Sequence, residues 1–176
     1  MAMVLRRGEE VLLVRRALRA GDPWSGDMAL PGGRRAPEDG DAIATAIRET
    51  REEVGLALDR AAVRGALRPV HTIAPARLTL PLVGRVPAWP MRVTPIVFDI
   101  AEGDHALDAG HAREVTAARW VPLASLRDPR VRTTRRWRPS LFGRRVTVAA
   151  PAWDLDGDIV WGLTYVMLGR LLRAPQ

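Results

Sequence analysis

Hydrophobic runs on both sides of a polar turn at Gly8 predict two strands within residues 4–14. Residues 17–33 contain Gly-Asp-Pro, Ser-Gly and Pro-Gly-Gly, and these breakers of regular structure predict a loop. Apolar residues then recur at helical spacing from about Asp41 to Val54. Gly55 is placed to end this helix in the left-handed conformation.

The remainder of the chain is predicted to be rich in strands. Strands are predicted at about 62–69, 77–86, 91–100 and 115–121, with a polar loop at 101–113 and a short helical turn at 122–126. Pro95 indicates that the strand at 91–100 is an edge strand or is bulged, and residues 127–139 are expected to be irregular. An Asp-Gly pair within 154–158 predicts a hairpin, followed by an amphipathic helix from about Gly162 to Arg173. The fold class is therefore a mixed α+β or layered α/β/α domain, and the length predicts one domain over residues 1–176.

The composition is that of an ordinary globular protein, with 47% hydrophobic and 27% charged residues among 176. Because there is no cysteine, a disulfide scaffold, thiolate catalysis and Cys-ligated metal centres are excluded. No apolar stretch approaches the ~18 residues of a membrane-spanning helix. The amino-terminal apolar run is too short for a secretory signal. We therefore expect a cytoplasmic protein with no membrane partner.

The chain has a net charge of +7, and all 27 of its basic residues are arginine. A basic surface favours anionic partners such as nucleotides, phosphorylated metabolites or nucleic acid. The base composition of a genome also produces complete replacement of lysine by arginine, so the charge alone selects no partner. Residues 127–145 are rich in arginine and include Trp137 and Phe142, which would suit either a polyanion-binding segment or a solvated loop. We predict that this segment is not a specific nucleic-acid site, because it resembles no known nucleic-acid-binding module.

The helix predicted from about Asp41 to Val54 has acidic residues on the side away from its apolar stripe. The stripe that must face the core consists of Ile43, Ile47, Thr50 and Val54. Glu49 and Glu53 are expected to point well away from it, and Glu52 lies opposite to it. Acidic groups near a helix carboxyl end oppose the macrodipole, and like charges four residues apart repel each other. A solvated charged face is one explanation of this costly arrangement, and a divalent cation held by hard oxygen ligands is the other.

Two segments, one before this helix and one at its carboxyl end, together resemble a known family motif. Residues 30–33 read Leu-Pro-Gly-Gly, and residues 48–56 read Arg-Glu-Thr-Arg-Glu-Glu-Val-Gly-Leu. Together they resemble the Nudix box, whose pattern is G-x5-E-x7-R-E-U-x-E-E-x-G-U with U a bulky apolar residue. The second half of the pattern is complete except for Thr50, which stands in the first U position.

The first half of the box departs from the pattern. Counting back from Arg48, the glycine position is occupied by Arg34 and the early glutamate position by Gly40. The glycine-to-arginine spacing is thus one residue longer than usual. Glu38 and Asp39 are the acidic residues near the vacant glutamate position.

The resemblance implies an α/β/α sandwich with a mixed sheet and an enzyme that hydrolyses a nucleoside diphosphate linked to another group, using Mg²⁺ or Mn²⁺. By the box, Glu49 and Glu53 would be the principal metal ligands, and Glu52 a further ligand or a residue that orients water. Arg48 would hold these carboxylates in place. The carbonyl of Gly33 or Gly32 would complete the metal ligands.

Further candidate site residues lie outside the box. Glu114, which precedes a strand and turn similar to those that close many Nudix domains, is a candidate general base or additional ligand. Arg34 and Arg35 are candidate substrate contacts. Trp24, in the loop before the box, could stack on a nucleobase, although packing within the loop would explain it equally well.

Several short segments are similar to the Nudix branch that cleaves coenzyme A and its thioesters: residues 12–16, 26–33 and 159–164. Ala17 and Leu30 depart from that branch, where serine and phenylalanine are usual. Coenzyme A is therefore the leading expectation for the substrate. The open alternatives are ADP-ribose, dinucleotides, nucleoside triphosphates and a nucleotide-binding module without catalysis. In every case the expected partner is a small nucleotide, and the oligomeric state is left open, a homodimer included.

Overall fold

The computed structural model of the chain describes residues 1–20, 22, 24–71, 79–80, 84–85, 92–101, 103, 105–109, 113–138, 140–141, 144–145 and 147–173. In chain order, the strands of this part are β1 (Ala2–Arg6), β2 (Glu10–Arg16), β3 (Met28–Ala29), β4 (Val63–Ala66), β5 (Val70–His71), β6 (Thr79–Leu80), β7 (Gly84–Arg85), β8 (Arg92–Val93), β9 (Ile96–Ile100), β10 (Val115–Pro122), β11 (Arg132–Trp137), β12 (Ser140–Leu141), β13 (Arg144–Arg145), β14 (Val148–Leu155) and β15 (Asp158–Trp161). The helices are α1 (Ala42–Val54), α2 (Leu123–Arg127) and α3 (Gly162–Leu171), with 3₁₀ turns at Arg60–Ala62 and Pro129–Val131.

One large mixed sheet forms the centre of the fold. Its strands follow the order β11-β14-β15-β3-β2-β1-β9-β4, and β10 pairs with β2 outside this path. β1 is parallel to β9 and β15 is parallel to β3, whereas the other pairs in this sheet are antiparallel. The same edge of β2 pairs with β1 through Glu10 and Val11 and with β3 through Val14 and Arg15.

The two faces of this sheet are covered by different helices. Alternate residues of β1 and β2 point to opposite faces, as the pleat of a strand requires. On one face Ala2, Val4, Leu12 and Val14 pack with Ala46 and Val54 of α1. On the other, Met3, Leu5, Val11 and Leu13 pack with Leu126 of α2 and Met167 and Leu168 of α3. The described residues therefore form the α/β/α layers expected from the sequence.

The predicted helix and its ends are confirmed. Asp41 caps α1 by accepting a hydrogen bond from the backbone N–H of Ala44 at 2.8 Å, and this satisfies one of the free amides of the first turn. Gly55 ends the helix with φ 71°, in the left-handed region that favours glycine. Thr50 and Val54 of the predicted stripe are fully buried, while Ile43 and Ile47 are only partly buried against the same core.

The two hairpins and the last helix are also where the sequence predicts them. The turn between β1 and β2 has positive φ at Arg7 and Gly8, and the turn between β14 and β15 has positive φ at Asp156 and Gly157. The carboxyl-terminal helix is α3, which begins at Gly162. In the loop predicted at 17–33, the short strand β3 was not predicted.

Two predictions about strands are wrong. Residues 127–139 are not irregular, because β11 forms the edge of the large sheet by pairing with β14. The sequence of β11 has little alternation of apolar and polar residues, because most of its side chains are exposed to solvent. Pro95 lies between β8 and β9 and so interrupts the strand predicted at 91–100. β9 lies between β1 and β4 and is not an edge strand, but its pairing with β4 has a register irregularity between Val63 and Gly65, on the β4 side. Most of the strand predicted at 77–86 lies outside the described residues, within which β6 pairs with β7.

None of the helices in the described part of the chain combines the length and the apolar character required to cross a membrane.

Candidate active site

A single guanidinium group on α1, that of Arg48, connects three carboxylates. Its Nε and Nη2 donate to the two oxygens of Asp39 at 3.1 and 3.0 Å. Nη2 also donates to Oε1 of Glu49 at 2.9 Å, and Nη1 donates to Oε2 of Glu52 at 2.8 Å. The carbonyl of Arg34 accepts a further bond from Nη2 at 3.1 Å. Arg48 therefore fixes two helix carboxylates relative to the loop that precedes the helix.

Asp39 is the buried partner of this guanidinium, with 4% of the residue exposed. One of its oxygens also accepts a bond from the backbone N–H of Ala36 at 2.8 Å. The hydrogen bonds from Arg48 and from Ala36 hold the pKa of Asp39 well below its usual range, because they favour the ionised carboxyl. The same pairing raises the pKa of Arg48 above its usual value.

Asp39 was missed as a site residue by the sequence analysis, although a signal was present. It lies one position before Gly40, which occupies the glutamate position of the box, in a loop that is one residue longer than the pattern. It is nine residues before Arg48, where the box has eight. The additional residue thus displaces the acidic group by one position, and the shorter aspartate still reaches the arginine.

Glu53 lies one turn further along α1, beneath the loop at Gly32. Its Oε2 accepts a hydrogen bond from the backbone N–H of Gly32 at 3.0 Å. The pKa of Glu53 is raised to about 7, first by burial and then by the negative charges of Glu49 and Glu114, while the hydrogen bond from Gly32 acts in the opposite direction. Glu53 is thus a half-buried carboxyl whose ionised form is disfavoured by its surroundings.

Glu49 is covered by the backbone of Gly33. A Cβ added to Gly33 would lie 2.5 Å from Oε1 of Glu49 and 2.6 Å from its Oε2, distances that real Cβ atoms essentially never show. The side chain of Glu49 is only 15% exposed. The sequence predicts only that Glu49 and Glu53 point away from the apolar stripe; the loop over residues 32–33 covers this flank of the helix, so Glu49 is not a solvated acid.

The other two predicted carboxylates lie closer to solvent. The side chain of Glu52 is 57% exposed and pairs with Arg48, as expected for the side of α1 opposite the core. Glu114 lies immediately before β10, and its Oε1 is 3.2 Å from Nη2 of Arg19. Its charge acts on Glu53, so the helix and this strand end belong to the same electrostatic environment.

The carboxylate side chains of this site are of the chemical type that binds a divalent cation. In the described part of the chain, no three His, Cys, Asp or Glu side chains are already gathered as a metal cluster. Glu49 and Glu53 nevertheless place hard oxygen donors on successive turns, and their mutual repulsion contributes to the raised pKa of Glu53. A cation between them would replace this repulsion by attraction. One oxygen of Glu52 is already bonded to Arg48.

The predicted substrate contacts lie in two different places. Arg35 donates through Nε to the carbonyl of Asp39 at 2.9 Å and through Nη2 to the carbonyl of Gly40 at 2.8 Å, so it supports the loop before α1. Arg34 is exposed beside it. Trp24 lies on the loop before β3, where its ring is close to that of Trp137.

Comparisons with known proteins agree with this arrangement. A model of the NUDIX domain matches residues 1–141. The human protein named mitochondrial coenzyme A diphosphatase NUDT8 is 41% identical over 90 residues, which are 51% of this chain and 38% of that protein. The uncharacterized Nudix hydrolase NudL of Yersinia enterocolitica is 27% identical over 170 residues, which are 97% of this chain and 76% of that protein.

Among solved structures, the chain is similar to a MutT NUDIX hydrolase from Burkholderia pseudomallei. The TM-score is 0.48 at 23% identity, and the match covers 70% of this chain and 80% of the other.

The model of the NUDIX domain matches well over half of the chain, and the segment that it matches contains α1 with Arg48 and Glu53. The chain belongs to the Nudix family.

Proposed function

We propose that this chain is a metal-dependent pyrophosphohydrolase that cleaves the diphosphate of a nucleoside diphosphate-linked substrate. The observation that supports this most directly is the half-buried Glu53, which is held by the N–H of Gly32 and has a pKa raised to about 7 by burial and by the nearby carboxylates. A group of acids that repel one another on one flank of a helix costs stability unless a cation is bound there. A protein that only binds an anionic nucleotide gains nothing from such a group.

In this proposal Glu49 and Glu53 hold Mg²⁺ or Mn²⁺, together with the carbonyl of Gly33 and, after release from Arg48, Glu52. A divalent cation at this place would neutralise the charge of the diphosphate and make a nearby water more acidic. Arg48 keeps Glu49 in position through its own bond to Asp39. Positioning by a rigid helix is what in-line attack of water on phosphorus requires.

Glu114 is the proposed general base. Glu114 lies immediately before β10, and its negative charge is one of the causes of the raised pKa of Glu53. It would accept a proton from the attacking water as the bond between phosphorus and the bridging oxygen breaks, and the leaving phosphate would take up the negative charge. Nη2 of Arg19 donates to Oε1 of Glu114 at 3.2 Å, a contact that orients this carboxylate.

Coenzyme A or a coenzyme A thioester is the substrate that we propose. The similarity to a human protein named coenzyme A diphosphatase supports this choice, as do the segments at 12–16, 26–33 and 159–164. The net charge of +7 suits an anionic nucleotide, whichever one it is. Arg34, Arg35 and Trp24 are the proposed substrate contacts.

The test is product analysis after incubation with coenzyme A, ADP-ribose, dinucleoside polyphosphates and nucleoside triphosphates, each with Mg²⁺, with Mn²⁺ and with a chelator. We expect 3′,5′-ADP and 4′-phosphopantetheine from coenzyme A, and no products in the chelator. Efficient cleavage of another substrate while coenzyme A stays intact would overturn the substrate assignment and leave the reaction class standing. Binding of nucleotides with no cleavage of any would instead favour a module without catalysis.

A further inference from the structure

Three tryptophans from distant parts of the chain have neighbouring rings, and two of them, Trp24 and Trp137, are partly exposed to solvent. The ring of Trp24 lies 6.5 Å from that of Trp137, centroid to centroid, with an interplanar angle of 34°. The ring of Trp137 lies 5.9 Å from that of Trp161 at 57°. Trp24 is on the loop before β3, Trp137 ends β11 and Trp161 ends β15. We refer to these three side chains as the indole surface.

The inner end of the indole surface is held by a buried carboxylate. Oδ2 of Asp27 accepts a hydrogen bond from Nε1 of Trp161 at 2.5 Å. Oδ1 of Asp27 is 3.3 Å from Nη2 of Arg135, whose guanidinium carbon lies 5.9 Å from the centre of the Trp161 ring. Trp161 is buried and fixed in orientation by these contacts. Trp137 therefore packs against a rigid support.

The outer end of the surface is open to solvent. Trp24 is 43% exposed, Trp137 is partly exposed, and Leu18 on the same loop as Trp24 is 83% exposed. Within the described residues, the large exposed hydrophobic side chains are Leu18, Trp24 and Val166. Two of these three thus lie on one loop, the loop that carries the outer ring of the indole surface.

A chain of contacts connects this loop to Glu114. The backbone N–H of Ala17, immediately after β2, donates to the carbonyl of Glu114 at 2.8 Å. The preceding Arg16 pairs with Asp22 at 2.8 Å, and Asp22 accepts a bond from the backbone N–H of Trp24 at 3.0 Å. From the same loop, Arg19 pairs with Glu114. The indole surface therefore lies on the flank of the candidate site that is formed by the end of β2 and the loop that follows it.

We propose that Trp24 and Trp137 together form a subsite on which the base of the nucleotide substrate stacks, with Trp161 and Asp27 as its fixed support. The proposal rests on the proposed function for the class of ligand. A flat heteroaromatic ring has apolar faces that match two partly exposed indoles, and stacking tolerates any base. The polar support beneath Trp161 keeps Trp137 in place before the ligand arrives, which reduces the entropy lost on binding.

The experiment measures binding of AMP and of ribose 5-phosphate, which lacks the base, by calorimetry in the absence of turnover. The variants are Trp24→Leu and Trp137→Leu, with Trp24→Phe and Trp137→Phe as conservative replacements. Trp120→Leu is the matched control, because Trp120 is a partly exposed tryptophan on β10 that packs against Arg6 and His105 instead. Thermal melts of every variant report whether the chain still folds.

We expect each leucine variant to bind AMP roughly tenfold more weakly, as loss of one stacked base–aromatic contact predicts. Binding of ribose 5-phosphate should be unchanged, the phenylalanine variants should recover most of the affinity for AMP, and Trp120→Leu should match the unmodified chain. AMP affinity within twofold of that of the unmodified chain in both leucine variants would overturn the proposal. Absence of measurable AMP binding by the unmodified chain would overturn it as well.

Hydrolysis by the same variants separates this proposal from the proposed function. If coenzyme A is cleaved, Trp24→Leu and Trp137→Leu should raise KM about tenfold and leave kcat within a factor of three, because the two rings touch the base and not the diphosphate. If no diphosphate is cleaved but AMP binding still depends on both rings, the proposed function fails and the subsite stands. If cleavage occurs with unchanged KM and unchanged AMP binding, the subsite fails and the proposed function stands.

Discussion

Arg48 and Asp39 form a two-point ion pair in which Nε and Nη2 of the guanidinium each donate to one carboxylate oxygen, at 3.1 and 3.0 Å. Bidentate pairs of this kind combine charge with a fixed orientation. The same guanidinium also bonds to Glu49 and Glu52. By fixing Arg48, Asp39 therefore fixes the positions of these two carboxylates. Asp39 is therefore a positioning residue for the proposed metal site.

Asp39→Asn should lower activity by roughly 10- to 100-fold, the usual effect of removing a group that orients a metal ligand. The amide can still accept one bond from Arg48, but it loses the charge that balances the guanidinium. Glu38→Gln is the matched control, because Glu38 is the neighbouring exposed acid. The measurement is kcat as a function of Mg²⁺ concentration, where Asp39→Asn should need more metal. Equal activity of the two variants would contradict the role given to Asp39.

The helix and its arginine were predictable from the sequence, but the partner of the arginine was not. The spacing of Arg48, Glu49 and Glu53 follows from helical periodicity and from the box, both of which are local. Asp39 becomes the partner through the path of a loop that is one residue longer than the pattern, and hydrophobic periodicity does not specify such a path. The burial of Glu49 and Glu53 likewise depends on the loop at residues 32–33, which folds back over the helix.

Gly33→Ala should reduce activity on the order of a hundredfold, since a small displacement of a positioned group can have that effect. The added methyl group would overlap the carboxylate of Glu49, at 2.5 Å from its Oε1, and would move the carboxylate away from its bond to Arg48. Gly40→Ala is the control, because a Cβ at Gly40 meets nothing within 4 Å. Steady-state kinetics and thermal melts of both variants provide the comparison. Normal turnover by Gly33→Ala would show that Glu49 does not need this position.

Glu53→Gln should abolish most of the activity and leave the metal-free chain folded. The amide oxygen can still accept the bond from Gly32, so the local structure is kept, but the negative charge needed for a cation is lost. Glu9→Gln is the control, as Glu9 is an exposed acid in the turn after β1. Isothermal titration with Mn²⁺ should show weaker binding by Glu53→Gln alone. Near-normal turnover of this variant would overturn the proposed metal site.

The edge strand β11 shows why the sheet was only partly predictable. Its residues Arg132, Thr134 and Arg136 are exposed, whereas Arg135 and Trp137 on the other side are partly buried. A strand with charged residues on its open side has little of the hydrophobic alternation that sequence patterns use. Arginine at an edge also prevents pairing with a second sheet, so the dense positive charge has a structural explanation there.

Replacing Arg132 and Arg136 by threonine should increase self-association, because the open edge of β11 would lose its charges. Sedimentation over a range of protein concentrations measures this. The control replaces Arg127 and Arg173, which are exposed arginines outside β11, and it removes the same charge.

The unmodified chain should show no tight binding of single- or double-stranded oligonucleotides at physiological salt. Tight binding that is lost in the β11 variant would instead make this strand a nucleic-acid site.

The stability of the metal-free chain should fall as the pH rises from about 4.5 to about 7, and Glu53 is the reason. Its pKa is raised from 4.5 in the unfolded reference to about 7 in the folded chain, so between these values the folded state binds more protons than the unfolded state. The stabilising contribution is therefore complete below pH 4.5 and is lost as the pH passes through 7. A shift of this size corresponds to roughly 3–4 kcal/mol at most.

Urea unfolding in a chelator between pH 4.5 and 8, for the unmodified chain and for Glu53→Gln, isolates this contribution because glutamine does not titrate. The two chains should be about equally stable near pH 4.5, and Glu53→Gln should become the more stable one above pH 7. Asp39 acts in the opposite direction but at lower pH, since its pKa is depressed, and it is present in both chains. Mg²⁺ should stabilise the unmodified chain more at pH 8 than at pH 5, because metal and proton compete for Glu53. A difference between the two chains that stays constant with pH would mean that Glu53 is already ionised in the folded protein and that its burial costs nothing.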